Sequence, residues 1–177
     1  MGVSLLQWLG SGTVVAGTAS LGGKMAERFH KRPQELRELA GLLRQLAAEI
    51  SYARVPLTEA LERIGRFAPR ASPVRAVLAE AGERLQTPGI TLEEAWNGAL
   101  QSRFANTSLS AEDRLILAAL GETLGQSGAA EQAGLLAAAV AQLVDREREA
   151  VRDRDRYARV YLTVGVLVGA LIVVLLI

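Results

Sequence analysis

The chain has 177 residues, with 20 Lys and Arg against 19 Asp and Glu, and its net charge of +1 offers little to a nucleic-acid backbone. The absence of cysteine excludes disulfides and thiolate metal sites, and a single histidine leaves zinc without a ligand set. Half of the residues are hydrophobic but only 5% are aromatic, so with few alternating runs outside the ends the expected class is all-α.

The first stretch, residues 2–23, reads GVSLLQWLGSGTVVAGTASLGG and carries no charge. Lys24, Arg28, Lys31 and Arg32 follow it and no basic residue precedes it, the reverse of a secretory signal peptide. That polarity predicts an uncleaved transmembrane anchor over 1–23 with its C-terminal flank in the cytoplasm. Gly12, Ala16 and Ser20 stand four apart, a spacing that lets helix backbones approach closely in lipid, although glycine is also common in membrane helices that pack on nothing in particular.

After Pro33 an apolar stripe of Leu36, Leu39, Leu43, Leu46 and Ile50 predicts an amphipathic helix over 34–53. Val55-Pro56 breaks it, and a short helix is expected over 57–67. Ser72-Pro73 reads as a cap followed by proline at the first helical position, starting a helix to about 85. Thr87-Pro88-Gly89 is a turn. Thr91 with Glu94 forms a capping box that opens a helix to 102, and Ser110 with Asp113 resembles another, opening a helix that ends at Gly125. The last helix begins near Ala129 and meets no proline before the end. These six helices predict an antiparallel bundle in a cytosolic domain spanning 24–159.

Residues 145–156, DREREAVRDRDR, alternate in sign, which on a helix sets opposite charges at i,i+3 and like charges at i,i+4. At about 0.2–0.5 kcal/mol per pair these contributions largely cancel. The run reads as a solvated collar at a membrane surface, or alternatively as a docking stalk.

The final stretch, 160–177, is VYLTVGVLVGALIVVLLI, without charge or proline. As a helix it covers about 27 Å, the thickness of a bilayer's hydrocarbon, and its Val, Leu and Ile residues favour insertion by about 4–8 kcal/mol. It is expected to be a second transmembrane anchor, continuous with the last bundle helix, with Gly165 and Gly169 repeating the small-residue spacing. Arg146 to Arg159 precede it, so both ends agree on a topology with the termini outside and the domain in the cytoplasm.

Chemistry is hard to find. His30 sits in the basic flank of the first anchor, where a surface role is expected. Gly17 to Lys24 departs from a phosphate-binding loop in spacing, in Met25 where Ser or Thr is needed, and in lacking a strand before it. The carboxylates Glu93-Glu94 and Glu112-Asp113 fall in first helical turns, where the helix dipole accounts for them. No catalytic residue, metal or cofactor is expected.

Lys31-Arg32-Pro33-Gln34-Glu35-Leu36, Glu49-Ile50-Ser51-Tyr52, Pro56-Leu57-Thr58-Glu59-Ala60, Glu93-Glu94-Ala95-Trp96 and above all the LGETLGQS string at 120–127 resemble the stage III sporulation protein AB family over nearly the whole chain. The resemblance implies a place in a membrane-spanning channel complex between mother cell and forespore. It also implies a soluble domain similar to the helical cytoplasmic domains of type II secretion and type IV pilus platforms. The implied partners are the stage III sporulation ATPase AA and other channel subunits in the membrane, with the domain on the mother-cell side. One helical domain and two anchors stand where the secretion platforms have two domains and three anchors, so a homo-oligomer is a further candidate. Carried over by the resemblance are Glu49, Tyr52 and Gln126 as partner-facing residues, and Pro56, Leu57, Trp96 and Gly125 as parts of the scaffold. The expected function is a non-enzymatic membrane platform. The alternative is a membrane-tethered adaptor or sensor that binds a different cytosolic protein.

Overall fold

The computed structural model describes the backbone of residues 5–53, 55–66 and 72–176, and the side chains of 27–53, 55–64, 72–128 and 130–157. It is built from α1 (Leu5–Ser51), α2 (Leu57–Arg66), α3 (Pro73–Arg84), α4 (Leu92–Arg103), a single 3-10 turn (Phe104–Asn106), α5 (Ala111–Leu124) and α6 (Ala129–Leu176). Each helix packs against its neighbour in the chain, and α6 closes the bundle by lying along α1. Among the described residues there is no strand.

The local signals explain most of the boundaries. Ser72 caps α3, its Oγ accepting from the Arg75 N–H, with Pro73 at the first position. Thr91 with Glu94 and Ser110 with Asp113 both form reciprocal capping boxes. Gly89 adopts φ +85°, the left-handed conformation that the turn before α4 requires and that glycine supplies without strain. α5 ends at Leu124 with Gly125 as its C-cap, in an ordinary right-handed conformation (φ −70°). Its break therefore does not depend on left-handed backbone freedom.

Pro33 corrects one expectation. Rather than preceding a new helix, it lies inside α1, which runs unbroken from Leu5. Pro33 has no N–H to give the carbonyl of residue 29, and it is buried against the bundle, so packing holds the helix through the missing bond.

The α1 stripe of Leu36, Leu39, Leu43, Leu46 and Ile50 is fully buried and forms one wall of the core. Leu61, Leu78, Trp96, Leu100, Leu117 and Leu124 fill the centre, and Leu136 and Leu143 come from α6. At Gly82 the α2 and α3 backbones come close: a Cβ there would stand 3.1 Å from the Glu62 nitrogen. Among the described residues no helix is long and apolar enough to cross a membrane. The two expected anchors, 1–23 and 160–177, with Gly12, Ala16, Ser20, Gly165 and Gly169, lie outside the residues whose side chains are described.

Candidate functional site

The two long helices are antiparallel. Phe29 stacks on Tyr157 with ring centroids 4.2 Å apart, Arg37 pairs with Glu147 at 2.6 Å, and Ile50 shares a groove with Ala133. The C-terminus of α1 therefore lies beside the N-terminus of α6, at the end of the bundle away from the two uncharged terminal stretches.

Near the other end stands a buried ionic junction. Asp113, with no exposed side-chain surface, accepts two hydrogen bonds from Arg32 of α1 (2.9 and 3.0 Å) and one from Arg146 of α6 (3.0 Å). The Ser110 N–H adds a fourth bond at 2.8 Å. Burial pushes the Asp113 pKa up, but the bonds from Arg32, Ser110 and Arg146 outweigh it and hold the carboxyl below its ordinary value. One side chain thus ties α1, α5 and α6 together. In the same region Glu35 is buried and accepts both the N–H and the hydroxyl of Ser108. Burial dominates there, and the Glu35 pKa is raised in spite of those bonds.

This junction changes the reading of two stretches. Asp113 is more than a first-turn carboxylate facing the helix dipole. The charged run at 145–156 is more than a solvated face, since Arg146 and Glu147 both reach across the bundle. The expected i,i+3 pairs do form, Arg148 with Asp145 and Arg146 with Glu149.

At the opposite end, the last turn of α1, the α1–α2 connection and the first turns of α6 enclose an apolar groove of about 610 Å³ lined by Ile50, Val55, Pro56, Leu57, Ala130 and Ala133, with Ser51 and Gln132. Tyr52 stands beside it in sequence, 89% exposed, the most exposed large hydrophobic residue among those described. One oxygen of Glu49 accepts from Gln45 at 3.2 Å, while the other is shielded from solvent and has no hydrogen-bond partner. Gln126 is exposed in the α5–α6 connection. Gln132 donates to the Leu124 carbonyl at 3.0 Å, fixing that connection against α6. The structure thus brings Glu49, Tyr52 and Gln126 to one end of the bundle, together with Pro56 and Leu57. Pro56 is exposed, and its carbonyl accepts the Ala60 N–H as α2 begins; Leu57 is buried in the core.

Trp96 does not belong to that surface. It is 1% exposed, its indole N–H donates to the Leu117 carbonyl at 2.7 Å, and it lies over Gly121. Gly121, inside the LGETLGQS string, is a packing residue that the sequence reading did not single out; Gly125 meets only ordinary contacts with Leu92. His30 is exposed, and among the described residues no group of three or more His, Asp or Glu is placed to hold a metal ion.

The family model described as stage III sporulation protein AB matches residues 7–177. The chain belongs to the stage III sporulation protein AB family. The stage III sporulation protein AB of Bacillus subtilis (strain 168) is 28% identical over 172 residues, covering 97% of this chain and 99% of that protein. A solved structure of a stage III sporulation protein AB superposes with a TM-score of 0.64 at 26% identity, covering 71% of this chain and 98% of that chain. Membership places the chain among sporulation proteins.

Proposed function

We propose that this family member is a non-enzymatic membrane platform of a sporulation channel, anchored by 1–23 and 160–177, that docks a cytosolic ATPase on the end of its bundle carrying Glu49, Tyr52 and Gln126. The observation that carries the reading is that an apolar groove and the exposed Tyr52, next in sequence to groove-lining Ser51, stand at the end of the bundle away from both terminal stretches. From residue 23 to Ser51 a helix rises about 42 Å, enough to hold that end well clear of a membrane surface. An exposed tyrosine beside an apolar groove is the composition of a protein contact more than of a solvated loop. The partner named by the family resemblance is the stage III sporulation ATPase AA.

Copurification tests the reading. The full chain, extracted from membranes of sporulating cells, is expected to bring down that ATPase; failure of the full chain in membranes to associate with it would remove the mechanistic content and favour a tethered adaptor with another partner. Topology is tested separately, since the chain has no cysteine. Gln86→Cys is expected to resist a membrane-impermeant thiol reagent in intact cells while Gly2→Cys reacts. The inverse labelling would overturn the orientation.

A further inference from the structure

We infer that the end of the bundle next to the two uncharged stretches carries a basic collar, built on Arg28, Arg152 and Arg156, that gathers anionic phospholipid headgroups around the anchors. The inference rests on the membrane anchoring proposed above and names the lipid chemistry of the surface beside it.

Three observations converge on this occupant. The first is the distribution of charge. Residues 24–32 and 152–159 together hold eight Lys and Arg against three Asp and Glu, a net charge of +5, although the whole chain carries only +1. The remaining 160 residues therefore carry −4. The stack of Phe29 on Tyr157 sets the two basic segments side by side at one level of the bundle.

The second is pairing. Arg32, Arg37, Arg75, Arg84, Arg103 and Arg146 each reach a carboxylate. Arg28, Arg152 and Arg156 are exposed and, among the described residues, reach none. Of the acidic groups beside them, Glu27 pairs with Lys31 and Asp155 with Arg154, which leaves Asp153. Arg44 is also exposed without a carboxylate, but at the helical rise it stands about 31 Å from residue 23.

The third is level. Arg156 lies about 6 Å from residue 160 and Arg28 about 7.5 Å from residue 23, close to the depth of about 5–7 Å that headgroups occupy outside the hydrocarbon. Arg152, about 12 Å out, remains within a Debye length of about 8 Å from the lipid phosphates. Tyr157, 42% exposed, adds an amphipathic ring at the headgroup level. A guanidinium at that depth meets phosphodiester oxygens, which it binds through charge-assisted hydrogen bonds. An acidic protein would first have to displace those headgroups.

The test uses the full chain reconstituted in vesicles of phosphatidylethanolamine and phosphatidylglycerol. Spin-labelled analogues of the two lipids report, by electron spin resonance, the fraction of each held at the protein surface and hence their relative association. The expected result is a preference for phosphatidylglycerol of about two- to fivefold at low salt, the gain from about one basic residue beside each lipid. High salt should reduce it. Arg28→Gln with Arg156→Gln should remove most of the preference and Arg152→Gln part of it, while Arg28→Lys with Arg156→Lys should keep it. Arg44→Gln, far from the membrane, should leave it unchanged. These arginines have no carboxylate partner to lose, and circular dichroism checks that each variant folds. Equal association of the two lipids overturns the collar. So does a preference that survives the double glutamine change, or one that Arg44→Gln lowers as much.

The two readings fail separately. If alkaline carbonate strips the full chain from the vesicles, the anchoring falls and the collar with it. If the chain stays inserted but shows no lipid preference, the collar alone is overturned. Loss of a copurifying acidic protein in the double glutamine variant, with lipid preference absent, would assign these arginines to a protein contact instead.

Discussion

The Trp96 indole occupies the space that a side chain at position 121 would need: a Cβ on Gly121 would stand 2.8 Å from the indole Cγ. Trp96 is held there by its bond to the Leu117 carbonyl, one turn earlier on the same helix. Gly121→Ala should therefore force the indole off its acceptor and destabilise the bundle by about 1–3 kcal/mol, the range for overpacking a core. Urea unfolding followed by tryptophan fluorescence would show a lower midpoint and an altered native emission. An unchanged midpoint would mean that the α4–α5 contact is loose.

Asp113→Asn should cost about 3 kcal/mol, near the lower end for breaking a buried ion pair, because Arg32 and Arg146 retain some access to water. Glu112→Gln, at a carboxylate 68% exposed beside it, should change stability by less than about 1 kcal/mol. Thermal unfolding of the two variants in one detergent gives the comparison. Equal effects would show that the junction is not special.

Acid sensitivity should have a traceable component in Glu80. Burial raises its pKa, but bonds from Ser102, Arg103 and Arg84 outweigh it and bring the group from 4.5 to about 2. The native state thus binds fewer protons there than the unfolded chain, so this contribution is whole above about pH 4.5 and is lost as pH falls towards about 2. Glu80→Gln should be less stable at neutral pH, by about 1 kcal/mol, and its stability should fall less steeply over that window. Parallel pH profiles for the two proteins would reject this assignment.

A flexible Gly-Ser segment inserted after Arg159 should impair sporulation if motion of the bundle must reach the membrane through α6, which is helical from Ala129 to Leu176. Spore counts equal to those of the unaltered chain would mean that the terminal stretch only tethers the domain.

Much of the helical layout was legible because its signals are local. Ser72-Pro73, Thr91 with Glu94, and the leucine stripe of α1 each act within a few residues, and each does in the structure what its spacing implies. Asp113 shows why the rest was not. Its capping role fully accounts for it within its own turn, so nothing nearby signals partners 81 and 33 residues away. Pro33 misled for the opposite reason, since a strong local breaker is overridden by burial against distant residues. At the end of the bundle away from the terminal stretches, Glu49, Tyr52 and Gln126 were named through resemblance alone. The groove at that end exists only because α6 returns beside α1, and no local pattern describes it.

The position of Asp113 along the two long helices has a mechanical consequence. It pins α1 at residue 32 and α6 at residue 146, while the groove lies near residue 50, a lever arm of about 27 Å at the helical rise. A pin part-way along a pair of rods resists their sliding past one another but leaves them free to swing together about it. A sideways push of a few ångströms at the groove would then reach the far side of this fulcrum as a movement in the opposite direction, with both helices sharing the load.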